Sequence, residues 1–329
     1  MVYKGGHTRT RLLRQPDEVA RKPRLQPLPA WRARRQRLEP SLNQMPILRQ
    51  IASLWSLRDY PQTDAPWGID TQLDAIKSAG FDGATGRIGS GDGKRINDRN
   101  LVFVGFLSSG DDKEFGALLN SQKDAGAMHV NVQLADHDTS TTEALRLTHR
   151  LFEEAKRLGG LEISIEVHRD TCTETPEKTY ALADAYLADT GRLLPITWDF
   201  SHFAVVKHLQ PKDFSRRLLE REELVKRACQ FHFRPFNGHH CQIPVTQADG
   251  SLTPELAEWL PFVEDVMSLW LDANPNTARE IFVIPEMGPT SSGYNLSGLP
   301  NSWEEAVKLR PILEKLWQKA LQPASRTNL

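Results

Sequence analysis

From Met45 onward the chain alternates short apolar, strand-like runs with longer amphipathic segments, and it does so eight times. The strand-like runs are IASLWSL (51–57), FDGATGRI (81–88), LVFVGFL (101–107), MHVNVQL (128–134), LEISIEV (161–167), LLPITWDF (193–200), CQFHFRPF (229–236) and IFVIPEM (281–287). Between them lie segments of helical spacing such as TTEALRLTHRLFEEAKRLG, PELAEWLPFVEDVMSLWLDA and WEEAVKLRPILEKLWQKAL. Their starts are marked. Ser140-x-x-Glu143 and Ser302-x-x-Glu305 fit capping boxes, while Thr175-Pro176 and Thr253-Pro254 put a capping hydroxyl before a proline at the first helical position. Strand, helix, strand, repeated, requires parallel pairing through crossovers. Eight such units match an α/β fold of the (β/α)8 type, usually about 250 residues long, with catalytic groups at the carboxyl ends of its strands. A doubly wound open sheet is the alternative. The GSGDG at 89–93 lacks the coupled strand, G-x-G-x-x-G and helix of a dinucleotide site.

The barrel pattern occupies residues 46–322, which leaves an extension at 1–45 and a short tail at 323–329. Residues 1–44 hold eleven Lys or Arg against three Asp or Glu, are rich in proline and lack periodic apolar positions. Such a segment cannot bury enough surface to offset the entropy of ordering, so it is expected to be a disordered basic extension. Residues 45–329 then carry 30 basic and 39 acidic side chains, a net charge of about −9. An acidic body lacks the basic stripe a nucleic-acid surface needs, so no nucleic-acid partner is expected. No run approaches the roughly 18 apolar residues that cross a bilayer, and no secretory signal is visible, so no membrane association is expected. Three cysteines, Cys172, Cys229 and Cys241, are odd in number and lack C-x-x-C spacing. A reducing, cytoplasmic setting is the natural reading.

Four strand-like runs end in metal-compatible residues: Glu166 in LEISIEVHRD, Asp199 in LLPITWDFSH, His232 in CQFHFRPFNGHH and Glu286 in IFVIPEMGP. Taken singly, each reads as a helix cap, a loop hydrogen bond or a solvated charge. Together they fall on four consecutive strands, five to eight, whose carboxyl ends converge on one face of a barrel. Three carboxylates there would repel one another, and a divalent cation is the simplest way to neutralise them. Three oxygens and one imidazole form a hard donor set that leaves coordination sites for a substrate.

These residues resemble the xylose isomerase-like TIM-barrel superfamily of sugar and sugar-phosphate isomerases and epimerases. The likeness rests on a Glu closing strand five, an Asp-x-x-His closing strand six (Asp199 and His202), a His closing strand seven and a Glu closing strand eight, within residues 46–320. It implies one divalent ion, Mn²⁺ or Mg²⁺ first and Co²⁺ or Zn²⁺ after them, held by Glu166, Asp199, His232 and Glu286. It also implies that Glu166 and Glu286 form an acid/base pair and that His202 touches a substrate oxygen. A metal chelating a hydroxyl and the adjacent carbonyl would stabilise the enediolate formed when the carbon between them loses its proton. Two carboxylates could then remove and return that proton.

Further polar residues crowd the same rim. His168 and Arg169 follow Glu166, Arg234 follows His232, and either arginine could fork onto a substrate oxygen, carboxylate or phosphate, or pair with a neighbouring carboxylate. The loop after strand seven offers His239 and His240, with His240 as the expected substrate contact; it reads Gly238-His239-His240 where family members often carry Gly-Arg-His, a departure that lacks the arginine and lies about two residues closer to the strand-seven His. Asp136 and His137 close strand four, and Trp55 and Arg58 lie near the end of strand one, where an aromatic wall or polar anchor would fit. Cys172 and Cys241 have no base spacing that marks a nucleophile.

The reading that follows is a metal-dependent isomerase or epimerase of a small polyhydroxylated substrate: a sugar, sugar phosphate or keto-polyol. A dehydratase of a cyclic polyol or keto acid needs the same site. An endonuclease IV-like phosphodiesterase would want further His ligands on strands two and three, and none is there. A barrel that binds a ligand without catalysis is the remaining class. Many relatives pair barrels, so a homo-oligomer is compatible with the resemblance, although no strand or helix declares an interface.

Overall fold

Alternation along each strand decides which side chains enter the barrel and which meet the helices. Residues 45–275 and 278–322 are described by this computed structural model, and they form eight parallel strands closed in chain order. The strands are β1 Ile47–Ser53, β2 Gly83–Thr85, β3 Val102–Ser109, β4 His129–Leu134, β5 Glu162–Glu166, β6 Ile196–Trp198, β7 Gln230–His232 and β8 Glu280–Ile284. The ring closes where Ile47–Gln50 pair in register with Glu280–Val283. The (β/α)8 expectation is therefore met. The extension at 1–44 and the tail at 323–329 lie outside the described residues.

In β5, Ile163 and Ile165 join the layer between barrel and helices. Ser164 turns inward, where its Oγ lies 2.7 Å from His129 Nε2 on β4 and 2.5 Å from Thr197 Oγ1 on β6. In β7, Phe231 packs outward and Gln230 and His232 face inward, a period of two readable in QFHFR. Ile51, Val104, Phe282 and Ile284 make a separate apolar cluster inside the barrel. Outside, helices such as Thr141–Arg157 present Ala144, Leu147, Leu151 and Ala155 at helical spacing.

Four sequence expectations need correction. β1 begins at Ile47 and ends at Ser53, because the polar ILRQ segment pairs with β8 and Arg49 is fixed by Glu280 at 2.8 Å; Leu54–Leu57 turns into a 3-10 helix. β6 and β7 end early. Asp199 leaves β6 to cap the helix Phe200–Val206, accepting from Ser201 N at 3.0 Å, and β7 stops at His232. GSGDG opens a helix, Asp92–Asp98, with Gly91 at its cap in the left-handed region. Ser302 is not a cap: Asn301 accepts from Trp303 N, and Ser302 Oγ donates to Gly288 O at 2.6 Å. The other three caps, Ser140, Thr175 and Thr253, each accept from the backbone N–H three residues on. Among the described residues, no helix is long and apolar enough to cross a membrane.

Candidate metal centre

Glu166 closes β5, Asp199 follows β6, His232 closes β7 and Glu286 stands two residues past β8. Each of the four offers a donor atom, and these atoms lie within 4.8 Å of one another. Donors around a Mg²⁺ or Ca²⁺ ion sit roughly 2.0–2.6 Å from it, hence about 4–5 Å apart at most, so this set fits a single divalent cation. His232 Nδ1 lies 3.2 Å from Glu166 Oε1 and 3.1 Å from Glu286 Oε2. Yet His232 Nδ1 and Glu166 Oε1 are both buried without an aligned hydrogen-bond partner. Orphaned donors aimed at a common point are what a cation would satisfy.

The surrounding groups fix this geometry. Asn131 on β4 donates to Glu166 Oε2 at 2.6 Å, leaving Oε1 as that carboxylate's free oxygen. Gln230, two residues before His232 and on the same inward face, puts its side-chain amide nitrogen 2.6 Å from His232 Nε2, while its amide oxygen is buried without a partner. With the amide oxygen turned to it, this contact would hold a proton on Nε2 and keep the Nδ1 lone pair for a ligand. Arg234 Nη2 donates to Asp199 Oδ2 and, at 3.1 Å, to Ser201 Oγ. Asp199 Oδ1 accepts from the Ser201 hydroxyl at 2.5 Å. His202 Nε2 lies 3.3 Å from Asp199 Oδ2.

Burial and charge pull against each other here. Burial alone would raise the Glu166 carboxyl, but the charges of His232 and His168 outweigh it and hold it down at about 2. Burial likewise opposes the ionised form of Asp199, and Arg234 and His202 reverse this, so it stays well below the usual carboxylate range. Burial would discharge His232, but Glu286 and Glu166 raise it well above an ordinary imidazole. A proton between two carboxylates thus occupies the place a cation would take. Burial lowers His202, with Asp199 opposing, which favours the neutral ring.

Above this cluster opens a cavity of about 660 Å³. Glu286, His232, His168 and Arg169 line it, so four of the expected site residues face it. Trp55 and Arg58 line it too, as expected for the strand-one rim. Glu166 does not: it is fully buried, whereas the Glu286 side chain is 18% exposed. His202 is buried beside the cavity, its ring 4.5 Å from that of His168. Arg234 is buried as the partner of Asp199 and lies beneath the Tyr294 ring at 4.6 Å. His240 is exposed in the loop after β7, where its N–H is held by Asn237 Oδ1 at 2.8 Å, and is not among the cavity-lining residues. Asp136 and His137 also lie outside the lining; His137 Nδ1 pairs with Asp170 at 2.6 Å. Burial pushes the Cys172 thiol up to about 12, consistent with an inert thiol.

Sequence reasoning missed Asn131, Gln230, Arg87 and Tyr294. The first two could have been found by extending the period-two pattern downward from His232 and across to β4. Arg87 stands two residues beyond β2, a position as informative as those of strands five to eight. Tyr294 comes from the loop after β8 and carries no pattern. Its place depends on Gly288, where a Cβ would come within 2.4 Å of Trp55 and 2.6 Å of Tyr294. Only glycine lets these two rings meet edge-on, 4.8 Å apart, over the cavity.

No family model matches the chain, and no curated protein matches it in sequence. Solved structures do match it in shape. A xylose isomerase-like TIM-barrel protein from Mycobacterium smegmatis, solved with magnesium, superposes with a TM-score of 0.55 at 15% identity, covering 83% of this chain and 98% of that one. A sugar phosphate isomerase/epimerase from Parabacteroides distasonis gives 0.51 at 12% identity over 84% and 96% of the two chains. A xylose isomerase-like TIM barrel fused to a 4-hydroxyphenylpyruvate dioxygenase gives 0.52 at 15% identity, over 86% of this chain and 45% of the fusion. At this identity the likeness establishes the fold alone, a closed (β/α)8 barrel.

Proposed function

We propose that the protein is a divalent-metal-dependent isomerase or epimerase of a small polyhydroxylated substrate. One observation carries this reading: four convergent donors from consecutive strands lie beneath a cavity large enough for a sugar-sized molecule. That a magnesium-bound barrel and a sugar phosphate isomerase/epimerase share the fold supports it. Glu166, Asp199, His232 and Glu286 would hold the ion, with Mg²⁺ or Mn²⁺ suited to so oxygen-rich a set. When bound, such an ion supplies Lewis-acid polarisation of adjacent substrate oxygens.

The remaining work falls to the side chains. Glu286, reaching the cavity, takes the proton from the substrate carbon; Glu166, approaching from the β5 side through its free Oε1, is its counterpart as proton carrier. His202, kept neutral and oriented by Asp199, and Arg169 on the rim hold substrate oxygens. Incubation in D₂O with Mn²⁺ and a panel of free and phosphorylated sugars tests this. Deuterium should enter at the reacting carbon and disappear in Glu286→Gln. Turnover without exchange would replace proton transfer by a hydride shift, and no turnover of any substrate in the metal-loaded protein would sink the reading.

One observation favours dehydration as a second reading. His168 faces the cavity beside His202 without being one of the four donors; its Nδ1 is held by Arg169 O at 2.6 Å, so Nε2 is the atom that would pass a proton to a departing hydroxyl, which leaves as water. Loss of water from a keto-polyol, followed by the absorbance of the conjugated product, would distinguish the two, and His168→Asn should suppress dehydration selectively.

A further inference from the structure

We propose that the cavity contains an anion subsite on its β1–β2 side, formed by Arg58 and Arg87, and that the substrate carries a phosphate or carboxylate group there. The inference rests on the reading of this cavity as the substrate site and narrows the substrate from polyhydroxylated to anionic.

Three arginines line the cavity: Arg58 from the turn after β1, Arg87 from the loop after β2 and Arg169 from the loop after β5. Of the other fourteen arginines among the described residues, nine lie within 4.0 Å of an Asp or Glu oxygen, and Arg192, Arg217, Arg227, Arg279 and Arg310 do not. For Arg58, Arg87 and Arg169 the described residues supply no such carboxylate. What sets Arg58, Arg87 and Arg169 apart from those five is that they line one cavity. Among the described residues, the one carboxylate lining the cavity is Glu286, which belongs to the donor set beneath.

Charge counting in the site leads the same way. Glu166, Asp199 and Glu286 contribute about −3, which Arg234 and a divalent cation would balance in full. Nothing in the donor set is left over for the arginines above it. Their positive charge in a concave site would draw anions and hold them.

The guanidinium groups are also partly oriented. Arg87 lies over the Phe106 ring at 5.7 Å and Arg169 over Tyr294 at 4.3 Å, contacts that occupy a guanidinium face and leave its N–H edge for a forked contact with an oxyanion. Trp55 meets Tyr294 edge-on, so the loops after β1, β5 and β8 share one wall. Tyr294 adds a hydroxyl that is buried without a hydrogen-bond partner and that burial keeps protonated at neutral pH, hence a donor. Gln133 supplies a neutral amide in the same lining. Because β8, β1 and β2 are neighbours in the ring, an anionic group at Arg58 and Arg87 would leave the rest of a small molecule free to reach Glu286.

The test is calorimetric titration of the full chain, stripped of metal on a chelating resin, with inorganic phosphate in one arm and malonate in the other. At least one probe should bind, and Arg58→Gln and Arg87→Gln should each weaken it about tenfold. Tighter phosphate binding assigns a phosphorylated substrate, and tighter malonate binding a carboxylated one. Circular dichroism melting of each variant keeps unfolding from passing for lost binding. If neither probe binds, or if binding survives both arginine substitutions, the subsite is refuted. If the probes bind as expected but no anionic sugar or keto acid turns over with Mn²⁺, the subsite stands and the isomerase reading falls.

Discussion

The two halves of the barrel's mouth treat charge in opposite ways. On the β5–β8 half, Glu166, Asp199, His232 and Arg234 are buried and bound to one another, each correct only because its neighbour is present. On the β1–β2 half, Arg58 and Arg87 are exposed to the cavity and lack a carboxylate partner among the described residues. The first half is a preassembled receptacle in which Arg234 offsets one carboxylate and a divalent cation would offset the other two. The second waits for charge to arrive. Substitutions should therefore damage stability and metal binding on one side and only ligand recognition on the other.

The largest effect on the fold should come from separating the buried pair. In metal-stripped protein, Arg234→Met leaves Asp199 buried without its cation and should cost about 3–5 kcal/mol in denaturant unfolding. A loss within experimental error would mean that Asp199 is solvated or protonated and that the two halves do not differ as described.

Next in size is the group behind His232. Gln230→Ala removes the side chain at 2.6 Å from Nε2 and should weaken Mn²⁺ binding about 10- to 100-fold, read by titration, with little change in the metal-free melting temperature. The proton shared by His232, Glu166 and Glu286 gives a related expectation. Because those carboxylates raise His232, acid favours the imidazolium, so metal affinity should fall as pH drops, by up to about tenfold per unit. Affinity that is flat from pH 8 to pH 6 would contradict the placement of His232 in the donor set.

The smallest effect on stability belongs to the other half. Arg58→Gln and Arg87→Gln should each shift unfolding by no more than about 0.5 kcal/mol, since exposed side chains without partners contribute little. A larger loss would make them structural and erase the contrast between the halves.

Much of the fold was legible in the sequence because a strand buried on one face and lining a barrel on the other writes a period of two, as QFHFR does in β7. Where strands carry polar residues for pairing, that signal fades: ILRQ at the start of β1 looks like a loop until Glu280 is placed opposite Arg49. Of the site, the four donors and His202 were legible because they end apolar runs at regular intervals. Arg234 could be read only as a choice between substrate contact and ion pair, and the structure places it against Asp199. Asn131 and Gln230 were hidden inside strands, where a polar residue suggests barrel filling more readily than support of a ligand. Tyr294 and the unpartnered state of Arg87 depend on which loops meet, information that resides in the closed ring and not in any one segment.

The central claim is that Glu166, Asp199, His232 and Glu286 together hold one divalent cation. Mn²⁺ titration of the stripped protein, followed by the loss of the free-ion paramagnetic resonance signal, tests it most directly. The account predicts one ion per chain in the native protein and none at the same concentration in a folded His232→Ala variant. Binding absent from the native protein, or unchanged in that variant, would contradict it.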